Sequence, residues 1–284
     1  MVESHLACTA RGCGLPLERR GRAWACPDGH SYDVARSGYV NLLQPQDRRS
    51  PVAGDSSEAI DARARLLAAG IGRTILDRFV ERAASLVLDE RALVVELGSG
   101  AGDALGTLAA LRAISGVGID LSTAAASQAA RRFPALTWVV ANADRRLPVV
   151  NRSASLLLSM HARRNPVESA RVLSPNGHLL LGVSAADDLI ELRAAVMGDG
   201  VLRDRVEAVV SEHAAHFFVK ERWTVRERHA LAREPLLDLL RGTYRGVRTS
   251  VVERVDALVE LDVTLSSDIV LLTPRSGRLP APTA

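Results

Sequence analysis

The sequence predicts an α/β fold, a doubly wound parallel sheet with a small metal-binding module ahead of it. Three observations carry that expectation. From residue 92 onward, short apolar runs alternate with helical patterns, the rhythm that buries a parallel sheet between layers of helices. The first of those runs ends in a glycine-rich turn, Gly98-Ser99-Gly100-Ala101-Gly102, where backbone can pass close to a ligand at a helix N-terminus. All three cysteines of the 284-residue chain fall within its first 26 residues, a clustering that points to a metal.

In chain order, Cys8-x4-Cys13 and Cys26-x3-His30 form two short ligand loops separated by twelve residues. Three thiols and an imidazole at that spacing suit a tetrahedral zinc. Gly12 and Gly14 flank Cys13, and Gly29 precedes His30, so the positive φ of a metal knuckle is accessible. The alternative is three unrelated buried cysteines and a surface histidine. Residues 1–31 are too short and too polar to fold around a core without the metal. A basic, Pro-containing connector runs from Tyr39 through Arg48 and Arg49 to Gly54. Asp55-Ser56-Ser57-Glu58 offers an N-cap and an acidic first turn for a helix reaching Gly70, and a second amphipathic helix is expected over 74–88.

Strands are expected over 93–97, 117–120, 136–141, 154–160 and 177–183, with helices over 104–114, 123–132 and 167–173. Residues 186–215 read as helical, 216–226 as a strand and 228–240 as a helix. The stretch 255–272 holds strand material suited to an antiparallel hairpin at the sheet edge. The tail from Pro274 is rich in Pro, Ser and Gly and is expected to be disordered.

Composition narrows the classes. Hydrophobic residues make up 47% of the chain, enough for a sizeable core at this length. No apolar run reaches the length of a membrane span, and no basic-then-apolar leader opens the chain, so no membrane partner is expected. With zinc holding all three thiols, no disulfide is left to form, and the cytoplasm is the expected compartment. Lys220 is the only lysine, so the 36 basic residues are otherwise all arginine. Genomic base composition is the larger cause, yet arginine also suits bidentate phosphate contacts and stacking on bases.

The glycine turn sits in Glu96-Leu97-Gly98-Ser99-Gly100-Ala101-Gly102-Asp103. Its spacing is Gly-x-Gly-x-Gly, not the Gly-x-Gly-x-x-Gly of dinucleotide folds. The next strand ends in Asp120-Leu121, about twenty residues on, where a carboxylate can accept hydrogen bonds from both ribose hydroxyls. Asn142-Ala143-Asp144, after the third strand, falls where a purine edge would lie. An α/β fold with an empty glycine turn and an NAD-binding domain are the alternatives. Together these residues resemble the S-adenosyl-L-methionine (AdoMet) site of class I methyltransferases, over residues 92–183. The resemblance implies AdoMet as cofactor, held by Glu96, Gly98, Gly100, Ala101, Gly102, Asp103, Asp120, Leu121, Asn142 and Ala143, with Glu96 orienting the loop near the methionine amine.

A second block narrows this further. Cys26-Pro27-Asp28-Gly29-His30-Ser31-Tyr32-Asp33 leads into Gly38-Tyr39-Val40-Asn41-Leu42-Leu43, followed by Gly54-Asp55-Ser56, Glu58, Ala62-Arg63, Leu67 and Ala69-Gly70. This pattern resembles the zinc-containing 23S rRNA (guanine-N1)-methyltransferases over nearly the whole chain. The resemblance implies a Rossmann-like class I methyltransferase sheet divided as follows: a zinc-binding RNA-recognition module over 1–38, a connector with N-terminal helices over 39–90, an AdoMet-dependent methyltransferase domain over 91–275 and a disordered tail over 276–284. It also implies a 23S rRNA hairpin near the peptide exit tunnel as substrate, and a homodimer whose zinc modules and cores form an RNA-binding cleft. Some members of that family confer resistance to macrolides such as tylosin.

The chain departs from the family pattern around the acceptor. Ile71-Gly72 stands where the family has His-Tyr, and His161-Ala162-Arg163-Arg164 where it has an aromatic-Ala/Ser-Pro segment. Asp188 replaces a family histidine near the cofactor, and Thr243-Tyr244-Arg245 a Thr-Pro-aromatic segment. These departures leave three functions open: rRNA guanine-N1 methylation, methylation of another RNA or a small molecule, and RNA or ribosome binding without catalysis. For catalysis, His161 ends the fourth strand at the carboxyl edge where ligands bind, and is expected to contact or deprotonate the base. Arg163 and Arg164 are expected to hold a phosphate or guanine O6. The plain alternatives are a strand-capping histidine and solvated arginines. Arg11, Arg19, Arg20, Arg22, Arg48 and Arg49 are expected to grip RNA, with Trp24 and Tyr32 either stacking on bases or packing the small zinc core.

Overall fold

The computed structural model describes residues 5–44, 54–198, 200–243 and 249–275. Arg48, Arg49, Tyr244, Arg245 and the tail at 276–284 lie outside the described residues. Near the N-terminus, β1 (Glu18–Arg20), β2 (Ala23–Ala25) and β3 (Ser31–Asp33) make a three-stranded antiparallel sheet. The main sheet contains β4 (Val40–Asn41), β5 (Ala92–Leu97), β6 (Ile114–Asp120), β7 (Thr137–Val140), β8 (Ala154–Met160), β9 (Leu173–Ser184), β10 (Phe217–Ala232) and β11 (Glu260–Pro274). Its eight strands run in the order β10-β11-β9-β8-β5-β6-β7-β4. Strands β4 to β9 pair in parallel, and β11 is inserted antiparallel between β9 and β10. The chain winds from β5 outward through β6 and β7, then returns to β8 on the other side. That reversal opens a crevice beyond the carboxyl ends of β5 and β8.

Both faces of the sheet are covered, so β5 and β8 are continuous apolar runs. The period-two alternation sends Leu93, Val95, Leu97 and Leu157 into one core, and Val94, Leu156 and Leu158 into another. The second core is closed by α2 (Arg73–Leu86), α3 (Asp103–Leu111) and α4 (Thr123–Arg132), through Phe79, Val80, Leu105, Leu108 and Ala129. The first is closed partly by α5 (Pro166–Val172) and α7 (Val206–His213), and partly by the N-terminal module itself. Leu6, Cys8, Leu17 and Cys26 are buried there with Val40, Leu42, Val139 and Val149. Leu6 also bridges to Val149, and the Ala7 amide donates to the Pro148 carbonyl at 3.1 Å. The module therefore shares its core with the sheet.

A third cluster joins α1 (Ser57–Ala68), α6 (Ile190–Met197) and α8 (Arg233–Thr243), with α9 (Thr249–Asp256) against them, through Leu66, Ile71, Leu192, Leu236, Leu240 and Val255. The expected cap holds: Ser56 Oγ accepts from the Ala59 amide at 3.2 Å. Arg65 locks α1 to α8 by donating two hydrogen bonds, at 2.8 and 2.6 Å, to Asp238.

Three expectations need correction. Residues 228–232 are strand, not helix: β10 pairs with β11 as far as Ala232 opposite Glu260. Trp223, Val225, Glu227, His229 and Leu231 turn inward in alternation while the charged residues between them face out, so cross-strand pairing overrides the helical propensity of Arg and Glu. The 186–215 stretch is two short helices, α6 and α7, with irregular chain between them. The last strand begins at Glu260, and α9 occupies the residues expected to start it. Strand β4 was not foreseen: two residues are too few for a periodicity to show. No helix among the described residues is long and apolar enough to cross a membrane.

Candidate functional site

The four expected metal ligands converge. Sγ of Cys8, Cys13 and Cys26 and a ring nitrogen of His30 all lie within 4.8 Å of one another. Cys13 Sγ and Cys26 Sγ are 3.8 Å apart, and Cys26 Sγ is 3.3 Å from His30 Nδ1. Sulfurs at ~2.3 Å from a tetrahedral zinc are separated by ~3.8 Å, so the donor set fits that metal. Two knuckle turns build it. The Cys13 amide donates to the Ala10 carbonyl, and the Gly29 amide to that of Cys26, with φ of +77° at Gly12 and Gly14 and +82° at Gly29.

The charge balance points the same way. At Cys13 the Leu15 amide favours the thiolate, but burial and the neighbouring thiols win and push it up to about 11. At Cys26 burial is outweighed by hydrogen bonds from His30 and backbone amides, which bring the thiol to about 7. Thiols so crowded share charge well only around a cation. Tyr32 braces the first loop: its hydroxyl accepts from the Ala10 amide at 3.0 Å and lies 3.2 Å from Cys8 Sγ. Trp24 is half-buried beneath the Arg19 guanidinium, which lies 5.8 Å from the ring centroid. Both aromatics thus pack the module, while Arg11, Arg19, Arg20 and Arg22 are exposed.

The glycine turn lies at the crevice. Gly98, Gly100 and Gly102 have φ of +66°, +53° and +83°, which only glycine adopts freely. At two of them close approach matters as well: a Cβ on Gly98 would overlap that of Ala162, and one on Gly102 would meet the Trp138 ring. Ala101 follows, and Asp103 opens α3 and pairs with Arg132 at 2.7 Å. Glu96 is buried at the end of β5 and accepts from the Leu105 amide at 3.1 Å. Burial, aided by the charges of Asp103 and Asp120, raises its acid to about 8. Asp120 accepts from the amides of Gly100 and Ser122, each at 2.8 Å, and burial raises it too. Carboxyl groups held together in this way suit a cationic ligand, and the sulfonium and ammonium of AdoMet fit.

Neighbouring segments complete the pocket. Asn142 is buried, and its side-chain oxygen accepts from the Asp144 amide at 2.9 Å, shaping the turn through Ala143. The Gly54-Asp55 block presses on the backbone of Leu121 and Ser122, where a Cβ on Gly54 would overlap, and Ser122 Oγ donates to the Asp55 carbonyl at 2.7 Å. Arg63 pairs with Asp55, and its charge reaches Asp120 and His161.

Across the crevice, β8 ends in a loop that turns sharply at His161, whose φ is +52°. The turn drops Ala162 onto Gly98. His161 Nε2 lies 2.7 Å from Ser267 Oγ on β11. The protein packed around it lowers its pKa, as do the charges of Arg164, Arg205 and Arg63, against the opposing carboxylate of Asp188. Asp188 accepts from the Ser266 amide at 3.0 Å, and burial raises its acid. Arg163 is exposed and donates to Asp144 at 3.0 Å. Arg164 turns inward toward Glu212, 4.0 Å away.

The sequence model described as RlmA, N-terminal, a zinc ribbon, matches residues 12–51, and one described as Methyltransferase domain matches residues 94–177. The 23S rRNA (guanine(748)-N(1))-methyltransferase of Streptomyces fradiae is 35% identical over 210 residues, 72% of this chain and 73% of that protein. A Micromonospora griseorubida protein named as a 23S rRNA (guanine-N(1)-)-methyltransferase is 34% identical over 260 residues, 83% of this chain and 84% of its own. The chain belongs to the 23S rRNA (guanine-N1)-methyltransferase family. Its fold agrees: the YcgJ protein of Bacillus subtilis superposes with a TM-score of 0.52 at 14% identity, over 71% of this chain and 100% of that one.

As a class I methyltransferase with a zinc ribbon, the chain takes AdoMet and zinc as its cofactors. The expected methyltransferase residues gather in two groups. Glu96, the glycine turn, Asp103, Asp120, Leu121, Asn142 and Ala143 border one crevice, while His161 and Asp188 face each other across the Ser266-Ser267 segment. Gly72 packs near Leu67 and Leu265 and donates its amide to Glu227. Ser122, Trp138, Ser266, Ser267 and Glu227 escaped the sequence reading. Only Ser122 left a signal, as the N-cap that follows Asp120.

Proposed function

We propose that this chain transfers the methyl group of AdoMet to N1 of a guanine in a 23S rRNA hairpin loop. The observation that carries the reading is the seating of the 161–164 loop on the glycine turn through Ala162 and Gly98. His161 and Arg163 flank Ala162 in that loop, and the residues read as holding the cofactor are Glu96, Gly98, Gly100, Ala101, Gly102, Asp103, Asp120, Leu121, Asn142, Ala143 and Asp188. AdoMet supplies an electrophilic methyl on a sulfonium sulfur. Glu96 would take the methionine ammonium, and Asp120 the ribose hydroxyls.

Guanine N1 carries a proton in the neutral base. The His161 imidazole, whose pKa is lowered by the protein around it, would take that proton, leaving the N1 electron pair free as the nucleophile. Arg163 steadies a phosphate or O6 of the splayed nucleotide. Zinc at Cys8, Cys13, Cys26 and His30 would fix the ribbon as the RNA-gripping module. That module is mounted on the segment after β7, where Arg146 lies against Gly14; the same segment carries Asn142. Two copies would combine their modules into one cleft in the cytoplasm.

The test is tritiated methyl transfer from AdoMet to rRNA of a knockout strain, followed by mapping of the labelled base. A single guanine that blocks primer extension is expected. Label on another RNA, or AdoMet binding without transfer, would overturn the assignment. Sedimentation of the purified chain tests the dimer.

A further inference from the structure

His161 is held unusually for a residue at the end of a strand. Its backbone is left-handed, at φ +52°, and its amide donates to the Gly182 carbonyl at 2.8 Å. A histidine adopts that conformation at some cost, so surrounding contacts must determine it. Its ring meets a hydroxyl that is itself fully buried: Ser267 is 0% exposed, in the interior of the antiparallel strand β11, opposite Ser184 of β9. Ser267 Oγ and His161 Nε2 are 2.7 Å apart.

We propose that Ser267 is a positioning residue for methyl transfer, holding His161 Nε2 so that Nδ1 is the ring nitrogen left to take the guanine proton. This rests on the reading of His161 as the base. For Nδ1 to act, its lone pair must be free, so the ring proton resides on Nε2 and is donated to Ser267 Oγ. When Nδ1 gains the N1 proton, the imidazolium keeps its Nε2–H donated to Ser267, and Nδ1 then returns its proton to solvent. The charged groups that act on the ring are Asp188, ahead of α6; Arg164, in its own loop; Arg205, ahead of α7; and Arg63, on α1. Asp188 favours the imidazolium and the three arginines oppose it. Ser267 adds no charge, so it acts by fixing the ring nitrogen and the ring plane. The neighbouring amide of β11 holds the same environment: Ser266 N donates to the Asp188 carboxylate, whose charge favours the imidazolium.

The experiment compares Ser267→Ala, Ser267→Thr, His161→Ala and the Ser267→Ala/His161→Ala double variant in single-turnover methyl transfer to rRNA across pH 5–9, with AdoMet affinity measured by calorimetry. Ser267→Ala should lower the single-turnover rate about 10-fold, with AdoMet affinity unchanged and the acid limb of the profile displaced. This is the scale of one misoriented hydrogen bond to a reacting group. The double variant should be no slower than His161→Ala alone, since the serine acts through the histidine. Ser267→Thr keeps the hydroxyl and should recover most of the rate; where its extra methyl lowers thermal stability, Ser267→Cys replaces it and should behave as Ser267→Ala. A normal rate and pH profile in Ser267→Ala, with His161→Ala impaired, would overturn the positioning role and leave the base intact. Additive losses in the double variant would also overturn it. Wild-type transfer by His161→Ala would instead reject the base itself.

Discussion

Glu96 shows most clearly what a single residue contributes. It is a buried carboxylic acid raised to about 8 by desolvation, with Asp103 and Asp120 adding to the effect. An acid whose folded pKa exceeds its unfolded value of about 4.5 supports the fold fully below that value, and this support fades as pH rises through about 8. The cofactor-free protein should therefore lose stability across that window, by a few kcal/mol at ~1.4 kcal/mol per unit. Glu96→Gln does not titrate, so its melting temperature should be flatter with pH than wild type between pH 5 and 8. Its AdoMet affinity should fall at least 10-fold, because an amide cannot ionise to become the counter-charge of the methionine ammonium. Parallel melting curves in differential scanning fluorimetry would disprove the first claim. Gly98 makes a complementary point. Its motif was legible in the sequence, but the reason a side chain is forbidden there is Ala162, brought in from 64 positions away by the turn at His161.

At the scale of elements, β10 does more than border the sheet. It is an edge strand, and its outward charges, Lys220, Glu221, Arg222, Arg226 and Arg228, discourage pairing with another chain. Its inward Glu227 caps α2, accepting from the Gly72 and Thr74 amides, the latter at 3.0 Å. Gly72 starts that helix with φ +82° and no side-chain cap of its own. This supplies a physical account of Ile71-Gly72 in place of the family pair. Ile71 is buried in the helical cluster, and Gly72 provides a left-handed turn whose amide a distant carboxylate receives. Glu227→Ala should cost about 1–2 kcal/mol in urea unfolding, as expected for a lost N-terminal cap with charge. A loss below about 0.3 kcal/mol would show that water serves the cap as well.

For the whole molecule, the decisive feature is that the zinc ribbon and the sheet bury one core. Leu6, Cys8, Leu17 and Cys26 pack with Val40, Leu42, Val139 and Val149, while β4, immediately beyond the ribbon, is the last strand of the sheet. Removing the metal should therefore disturb more than the ribbon. Chelation is expected to lower the melting temperature of the entire chain, and to abolish rRNA binding with a much smaller change in AdoMet affinity. Two separated transitions, with the catalytic unit unchanged in melting, would show that the ribbon folds apart.

The sequence by itself determined the zinc ligands, the glycine turn with Glu96 and Asp120, and the succession of parallel strands. Each is written in a short window, as ligand spacing, turn chemistry or an apolar run, and neighbours along the chain suffice to express it. Tertiary structure decided the rest. Gly72 finds Glu227 across 155 positions, His161 finds Ser267 across 106, and Asp188 finds Ser266 across 78. The β10–β11 hairpin, which supplies all three partners, is also where the sequence reading placed a helix. Local propensity says little about a strand whose stability comes from its partner. The residues that depart from the family pattern were thus visible in the sequence, but their partners came into view only when β11 was laid beside β9.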